Sequence, residues 1–143
     1  MISEDIHLTP NFRIMEFLKS DIAWSDIDLR CAQLSPCRLV IENLKKVALV
    51  LQSVRDSLGI PIYVNSGYRT KALNDKLREK GYFSHPQSKH LIGRAADIRG
   101  KDAVETRRIW NWLKKHKDVD VLHSYCKTTS KSTYIHFQLK NEV

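Results

Sequence analysis

The sequence predicts an α+β fold, and three observations carry that reading. Residues 38–58 form a long helix-period segment. Four short segments near 60–64, 94–99, 119–125 and 132–139 alternate apolar and polar residues or are rich in β-branched ones. Shorter helical patterns fall between and before them. At 143 residues the chain has the length of one domain and can bury a core without disulfide or metal staples. The expected organisation is a single domain, 1–143, in which residues 1–34 form an N-terminal packing segment.

The elements follow in order. Phe12, Met15 and Leu18 recur at helical spacing and predict a short helix packed on the body. Ser35-Pro36 offers a cap and a first-turn proline. Beyond it Leu39, Val40, Leu44, Val47, Leu51, Val54 and Leu58 line one face until Gly59 stops the helix. Ile60-Pro-Ile62-Tyr-Val64 is expected as a strand that delivers the turn Asn65-Ser-Gly67-Tyr-Arg69. Thr70 can cap a following helix that runs to about Lys80, ahead of Gly81. A polar loop containing His85 and Pro86 leads to a strand at 94–99. Asp102 and Glu105 have the spacing of a capping box before a helix carrying Val104, Ile109, Trp110 and Leu113. Two final strands complete the chain.

Composition narrows the function classes. A charged fraction of 28% against 42% hydrophobic residues is globular, and no apolar stretch is long enough to cross a bilayer. The N-terminus lacks the basic start, apolar run and small-residue cleavage site of a secretory signal. The expectation is synthesis in the cytoplasm without export by that route, and action elsewhere only after release. The three cysteines, Cys31, Cys37 and Cys126, have no CxxC spacing, which predicts buried thiols rather than a disulfide framework. A net charge of +8 implies attraction to polyanions, either anionic cell-wall polymers or nucleic acid. The lysines and arginines are scattered rather than interleaved with aromatics, which disfavours nucleic acid.

Two segments carry chemistry: Ser88-Lys-His90-Leu-Ile-Gly93-Arg-Ala95-Ala96-Asp97 and Thr133-Tyr-Ile-His136-Phe-Gln-Leu139. Two imidazoles and a carboxylate match the ligand set of three-coordinate catalytic zinc. Side chains alternate along a strand, so His136 points away from the layer formed by Ile135, Phe137 and Leu139. Asp97 is likewise out of phase with Ala96 and Ile98. Gly93 permits a tight turn after His90, and the alanines keep the strand slim enough for Asp97 to return beside it. Taken alone, a strand histidine is more often a hydrogen-bonded structural residue than a ligand.

Ser66-Gly-Tyr-Arg69, Ser88-x-His90-x-x-Gly93-x-Ala95-x-Asp97 and Tyr134-Ile-His136-Phe, in this order and at these separations, resemble the zinc D-Ala-D-Ala carboxypeptidases and phage L-alanyl-D-glutamate endopeptidases. The segment Asn11 to Asp21 resembles the N-terminal part of a small bacterial and phage branch, so the resemblance spans nearly the whole chain. It implies a Hedgehog/DD-peptidase-like fold, in which a small, mainly antiparallel sheet carries the zinc site and helices pack on it. It implies His90, Asp97 and His136 as ligands of Zn2+, with a fourth position for water. Arg69 matches the arginine that binds substrate or stabilises the oxyanion, and Ser88 the serine near the substrate carboxylate. Ser66 and Tyr134 fall within the same motifs as expected substrate contacts. The implied substrate is the peptidoglycan stem peptide, cut by a carboxypeptidase or an endolysin-type endopeptidase acting as a monomer.

One departure from the resembled pattern concerns proton transfer. Many relatives carry Asp or Glu three residues before the last histidine, where this chain has Thr133. The closer branch has Glu after an Asp-Gln-Leu-Ile segment, where Asp120 to Tyr125 offers Tyr125. No Asp or Glu lies between Asp120 and Glu142. His123 is the nearest titratable alternative, ahead of His85 and His116. The competing expectation is a zinc-containing cell-wall-binding or phage structural module that has lost turnover.

Overall fold

The computed structural model describes residues 2–3, 5–82, 84–124 and 134–141, of which 122–124 are described by backbone alone. Its centre is α4 (Arg38–Leu58), whose Val40, Leu44, Val47, Ala48, Leu51 and Val54 are buried in one stripe. Gly59 ends it in the left-handed region at φ 66°, where only the lack of a Cβ is free of strain. The cap at the other end differs from the sequence expectation. Cys37 is the N-cap, and the Ser35 hydroxyl donates instead to the Cys31 carbonyl at 2.9 Å, closing the preceding helix. Leu39 starts the helix on its solvent side, 59% exposed, because α4 meets the core first through Val40.

Four strands form an antiparallel sheet in the order β3 (Tyr63–Ser66), β4 (Ala95–Arg99), β6 (Ile135–Leu139) and β5 (Val119–Ser124). Ala96, Ile98, Ile135, Phe137 and Leu139 are fully or almost fully buried on the face covered by α4 and α6 (Ala103–Leu113). Each large side chain removed from water there contributes roughly 1.5–3 kcal/mol. The expected cap of α6 is present, since Asp102 accepts from the Glu105 N–H at 2.8 Å. Val104 is 70% exposed rather than on the packed stripe, which runs through Thr106, Ile109 and Leu113. The first strand pairs from Tyr63 rather than Ile60. Ile60 and Ile62 are buried all the same, as they lead from α4 into the sheet.

The N-terminal segment is more divided than its periodicity suggests. A hairpin of β1 (His7–Thr9) and β2 (Phe12–Arg13) precedes α1 (Ile14–Leu18), so Phe12 is a strand residue. Phe12, Ile14, Phe17 and Leu18 all enter the core. Next come α2 (Asp21–Trp24) and α3 (Ile27–Gln33), capped by the Ser20 and Asp26 side chains. Between β3 and β4, α5 (Lys71–Glu79) starts at Thr70, whose hydroxyl accepts from the Leu73 N–H at 3.2 Å as its position predicts. Cys31 and Cys37 are exposed rather than buried, since both lie where helices meet solvent. Cys126 lies outside the described residues.

Candidate metal and active site

Three short stretches of backbone converge on the polar side of the sheet. The first is the end of β3, where Gly67 passes α1 so closely that an added Cβ would stand 2.7 Å from Phe17 atoms. The second is a 3₁₀ turn, Lys89–Ile92, opened by Ser88 and closed by Gly93 at φ 74° against the Val40 carbonyl. The third is the β4–β6 pair, whose register sets Asp97 opposite His136. The backbone N–H of Arg69 donates to the His90 carbonyl at 3.0 Å, stitching the first stretch to the second.

His90, Asp97 and His136 each offer a ligand atom, all within 4.8 Å of one another. Asp97 Oδ1 lies 2.8 Å from His136 Nδ1 and 3.3 Å from His90 Nε2, and the two imidazoles meet edge-on at 5.1 Å. His90 Nδ1 is 2.6 Å from the Gly67 carbonyl, an atom that can only accept. Nδ1 therefore carries the proton, and Nε2 of the neutral ring presents a lone pair toward Asp97. That Nε2 is buried and makes no hydrogen bond of acceptable geometry among the described residues. A cation held between that lone pair and the Asp97 carboxylate would satisfy both. A backbone carbonyl fixing the remote nitrogen of a histidine is how metal sites set the tautomer of a ligand. The donor set of two nitrogens and one carboxylate suits zinc.

The electrostatics point the same way. Burial alone raises the Asp97 pKa, but the His136 imidazole bonded to it and the adjacent His90 ring outweigh that, and the carboxyl is held well below its usual range. Burial lowers the His90 pKa against the opposing pull of Asp97, which favours the neutral ring that a metal requires. His136 Nε2 lies 3.3 Å from Gln138 Oε1, two residues along the same strand face.

A cleft of about 300 Å³ opens beside the triad, lined among others by Arg69, Ser84, Ser88, Tyr134 and Gln138. Arg69, expected from the resemblance to bind substrate or an oxyanion, is 8% exposed. Its Nη2 lies 3.9 Å from Asp97 Oδ2, while Nη1 donates to Ser84 and Asn74 at 3.2 and 3.4 Å. Burial lowers its pKa, with Asp97 and Tyr134 opposing that shift. Ser88 lines the cleft and accepts from the His90 N–H at 3.1 Å, so it also caps the turn that carries His90. Ser66 lies in a neighbouring cavity that shares Arg69, Asp97 and Tyr134 with the first. His85 lines the cleft, exposed, with its Nδ1 accepting from the Gln87 N–H in its own loop. His116 stacks on Trp112 at a separate cavity and is not brought to the site. His123 is the register partner of His136 across β5 and β6. Thr133 and Tyr125 lie outside the described residues.

Sequence reading missed the residues that hold this arrangement from behind. Gln33, fully buried at the end of α3, donates to the carbonyls of Leu18 and Tyr68 and accepts from the Thr70 N–H, clamping the backbone on both sides of Arg69. Asn43 of α4 donates to the Ile92 carbonyl at 2.8 Å and so fixes the 3₁₀ turn. The only signal in the sequence was a polar residue at an otherwise core-facing helical position.

A His–Asp–His triad, with His90 buried and Asp97 and His136 partly accessible, thus lies on a small antiparallel sheet beside an arginine-lined cleft. The Peptidase M15 family profile matches residues 11–138, and the chain belongs to this family of peptidases. Among solved structures it is similar to the crystal structure of the Serratia marcescens L-Ala D-Glu endopeptidase ChiX. The two share 22% identity with a TM-score of 0.45 over 73% of this chain and 89% of that one. No curated protein sequence matches it. Among the described residues, no helix is long and apolar enough to cross a membrane.

Proposed function

We propose that this M15 peptidase is zinc-dependent and hydrolyses peptide bonds in the peptidoglycan stem peptide. The observation that carries the reading is the lone pair of His90 Nε2, fixed by Gly67 and aimed at the Asp97–His136 pair at the wall of a cleft. His90, Asp97 and His136 hold the metal. Zinc there supplies Lewis-acid polarisation of the scissile carbonyl and lowers the pKa of water into the neutral range.

The chain's own residues do the rest. Arg69 keeps a cationic nitrogen 3.9 Å from Asp97, where a guanidinium can bind a substrate carboxylate or a developing oxyanion. Ser66, Ser88 and Tyr134 contribute polar contacts along the two connected cavities. His123, the strand partner of His136, serves as the proton carrier in place of the carboxylate that relatives use. The +8 charge favours contact with anionic cell-wall polymers.

One observation favours a second reading, a zinc-holding cell-wall-binding or phage structural module without turnover. Asp97 is the only carboxylate lining the 300 Å³ cleft among the described residues, and it is committed to the metal. Digestion of purified peptidoglycan by the zinc-loaded chain, with mass spectrometry of the fragments, separates the two and also tells a carboxypeptidase from an endopeptidase. The peptidase reading predicts released fragments, suppressed by His123→Ala. If several peptidoglycan chemotypes yield no fragment, and neither Thr133→Glu nor Tyr125→Glu restores release, the module reading holds.

A further inference from the structure

Arg69 presents two sides to its surroundings. Its Nη1 is tied on the protein side to Ser84 Oγ at 3.2 Å and to Asn74 Oδ1 at 3.4 Å. Ser84 in turn donates to Asn74 Oδ1, so the three polar groups close a ring. Asn74 is fully buried and Ser84 is 8% exposed, which is unusual company for a guanidinium that gains no full ion pair from it. Nη2 has Asp97 at 3.9 Å, beyond hydrogen-bond distance. Burying an arginine against two neutral partners costs desolvation that a surface position would avoid. The return is orientation: once Nη1 is held, the planar fork leaves Nη2 with one accessible direction, along the side of Asp97 and the cleft.

We infer that Asn74 and Ser84 are positioning residues, which hold Arg69 Nη1 so that Nη2 faces the substrate beside Asp97. This rests on the peptidase reading for its consequence in turnover, but not for the restraint itself. Asn74 also donates to the His85 carbonyl at 2.9 Å. Ser84 makes side-chain hydrogen bonds only to Arg69 and Asn74 among the described residues, which makes it the cleaner probe.

The experiment is a double-mutant cycle on the zinc-loaded full chain, using wild type, Ser84→Ala, Arg69→Lys and the double variant, with kcat and KM for a purified stem-peptide fragment. It is paired with NMR of the Arg69 guanidinium nitrogens. Expected is a fall in kcat/KM for Ser84→Ala of up to about a hundredfold, the scale of a small misplacement of a catalytic group. That fall should be largely absent in the Arg69→Lys background. Ser84→Thr, which keeps the hydroxyl, should recover most of the loss. The wild-type guanidinium should rotate slowly about its Cζ–Nη1 bond, and Ser84→Ala should speed that rotation. An equal loss in the wild-type and Arg69→Lys backgrounds, or free rotation in wild type, overturns the assignment. Restricted rotation in a wild type that cuts nothing would uphold the positioning and sink the peptidase reading instead. Should Ser84→Ala fail to fold, Ser84→Cys and the wild-type rotation rate decide the same question.

Discussion

The two faces of the β4–β6 pair are built from alternate residues of the same strands, yet they do opposite things. On one face Ala96, Ile98, Ile135 and Phe137 are wholly buried against α4 and α6. On the other, Asp97, His136 and Gln138 stay partly accessible and bond to one another and to residues of the cleft. The apolar face has many interchangeable contacts and tolerates small adjustments. The polar face carries two of the three candidate ligands, whose value depends on separations of a few ångströms. Because the strand period is two, a slip of one residue would expose Phe137 and bury His136 at once, so packing on the first face protects the register of the second.

The sharpest way to break the comparison is at the polar face. The double variant His90→Ala, His136→Ala should lose the zinc, about one ion per chain in a mononuclear site, together with all peptide hydrolysis. Its circular dichroism should be retained, because the apolar face is untouched. Elemental analysis after gel filtration measures it, and undiminished zinc would remove these residues from the site.

The apolar face should fail in the other way. Phe137→Ala leaves every ligand in place but removes a fully buried ring, and should cost about 3–5 kcal/mol in denaturant unfolding. The molecules that remain folded should bind zinc with near-native affinity. A zinc affinity lost in step with stability would mean that the faces are not separable.

Gly67→Ala sharpens the contrast where the two layers join. A methyl there meets the Phe17 backbone at 2.7 Å and must push β3 away from α1, an overpacking worth about 1–3 kcal/mol. The same shift moves the carbonyl that fixes His90, so zinc affinity should also drop, by about tenfold or more as for other residues supporting a ligand. Isothermal titration of zinc alongside thermal melts would show whether both change together. Val104→Ser is the control with the smallest effect. This residue is 70% exposed on α6, and stability should stay within about 0.5 kcal/mol of wild type.

Much of this was open to a reader of the sequence. The apolar stripe of α4, the caps at Thr70 and Asp102, the turn at Gly93 and the outward phase of Asp97 and His136 all follow from local rules: helical and strand periods, hydroxyl and carboxylate caps, and the left-handed region open to glycine. The three candidate ligands were singled out by the order and spacing of motifs that resemble a peptidase family, with strand phase agreeing for Asp97 and His136. Tertiary structure decided the rest. It set which stretches of backbone meet, and so why Gly67 must be glycine and why its carbonyl finds His90. It placed Gln33, Asn74 and Ser84 around Arg69 and buried its guanidinium. It left Leu39 and Val104 in solvent although their periodicity put them on the packed face. Local patterns specify which way a side chain points from its own element. What it points at is set by partners distant in sequence, and buried polar residues reveal their purpose only when those partners arrive.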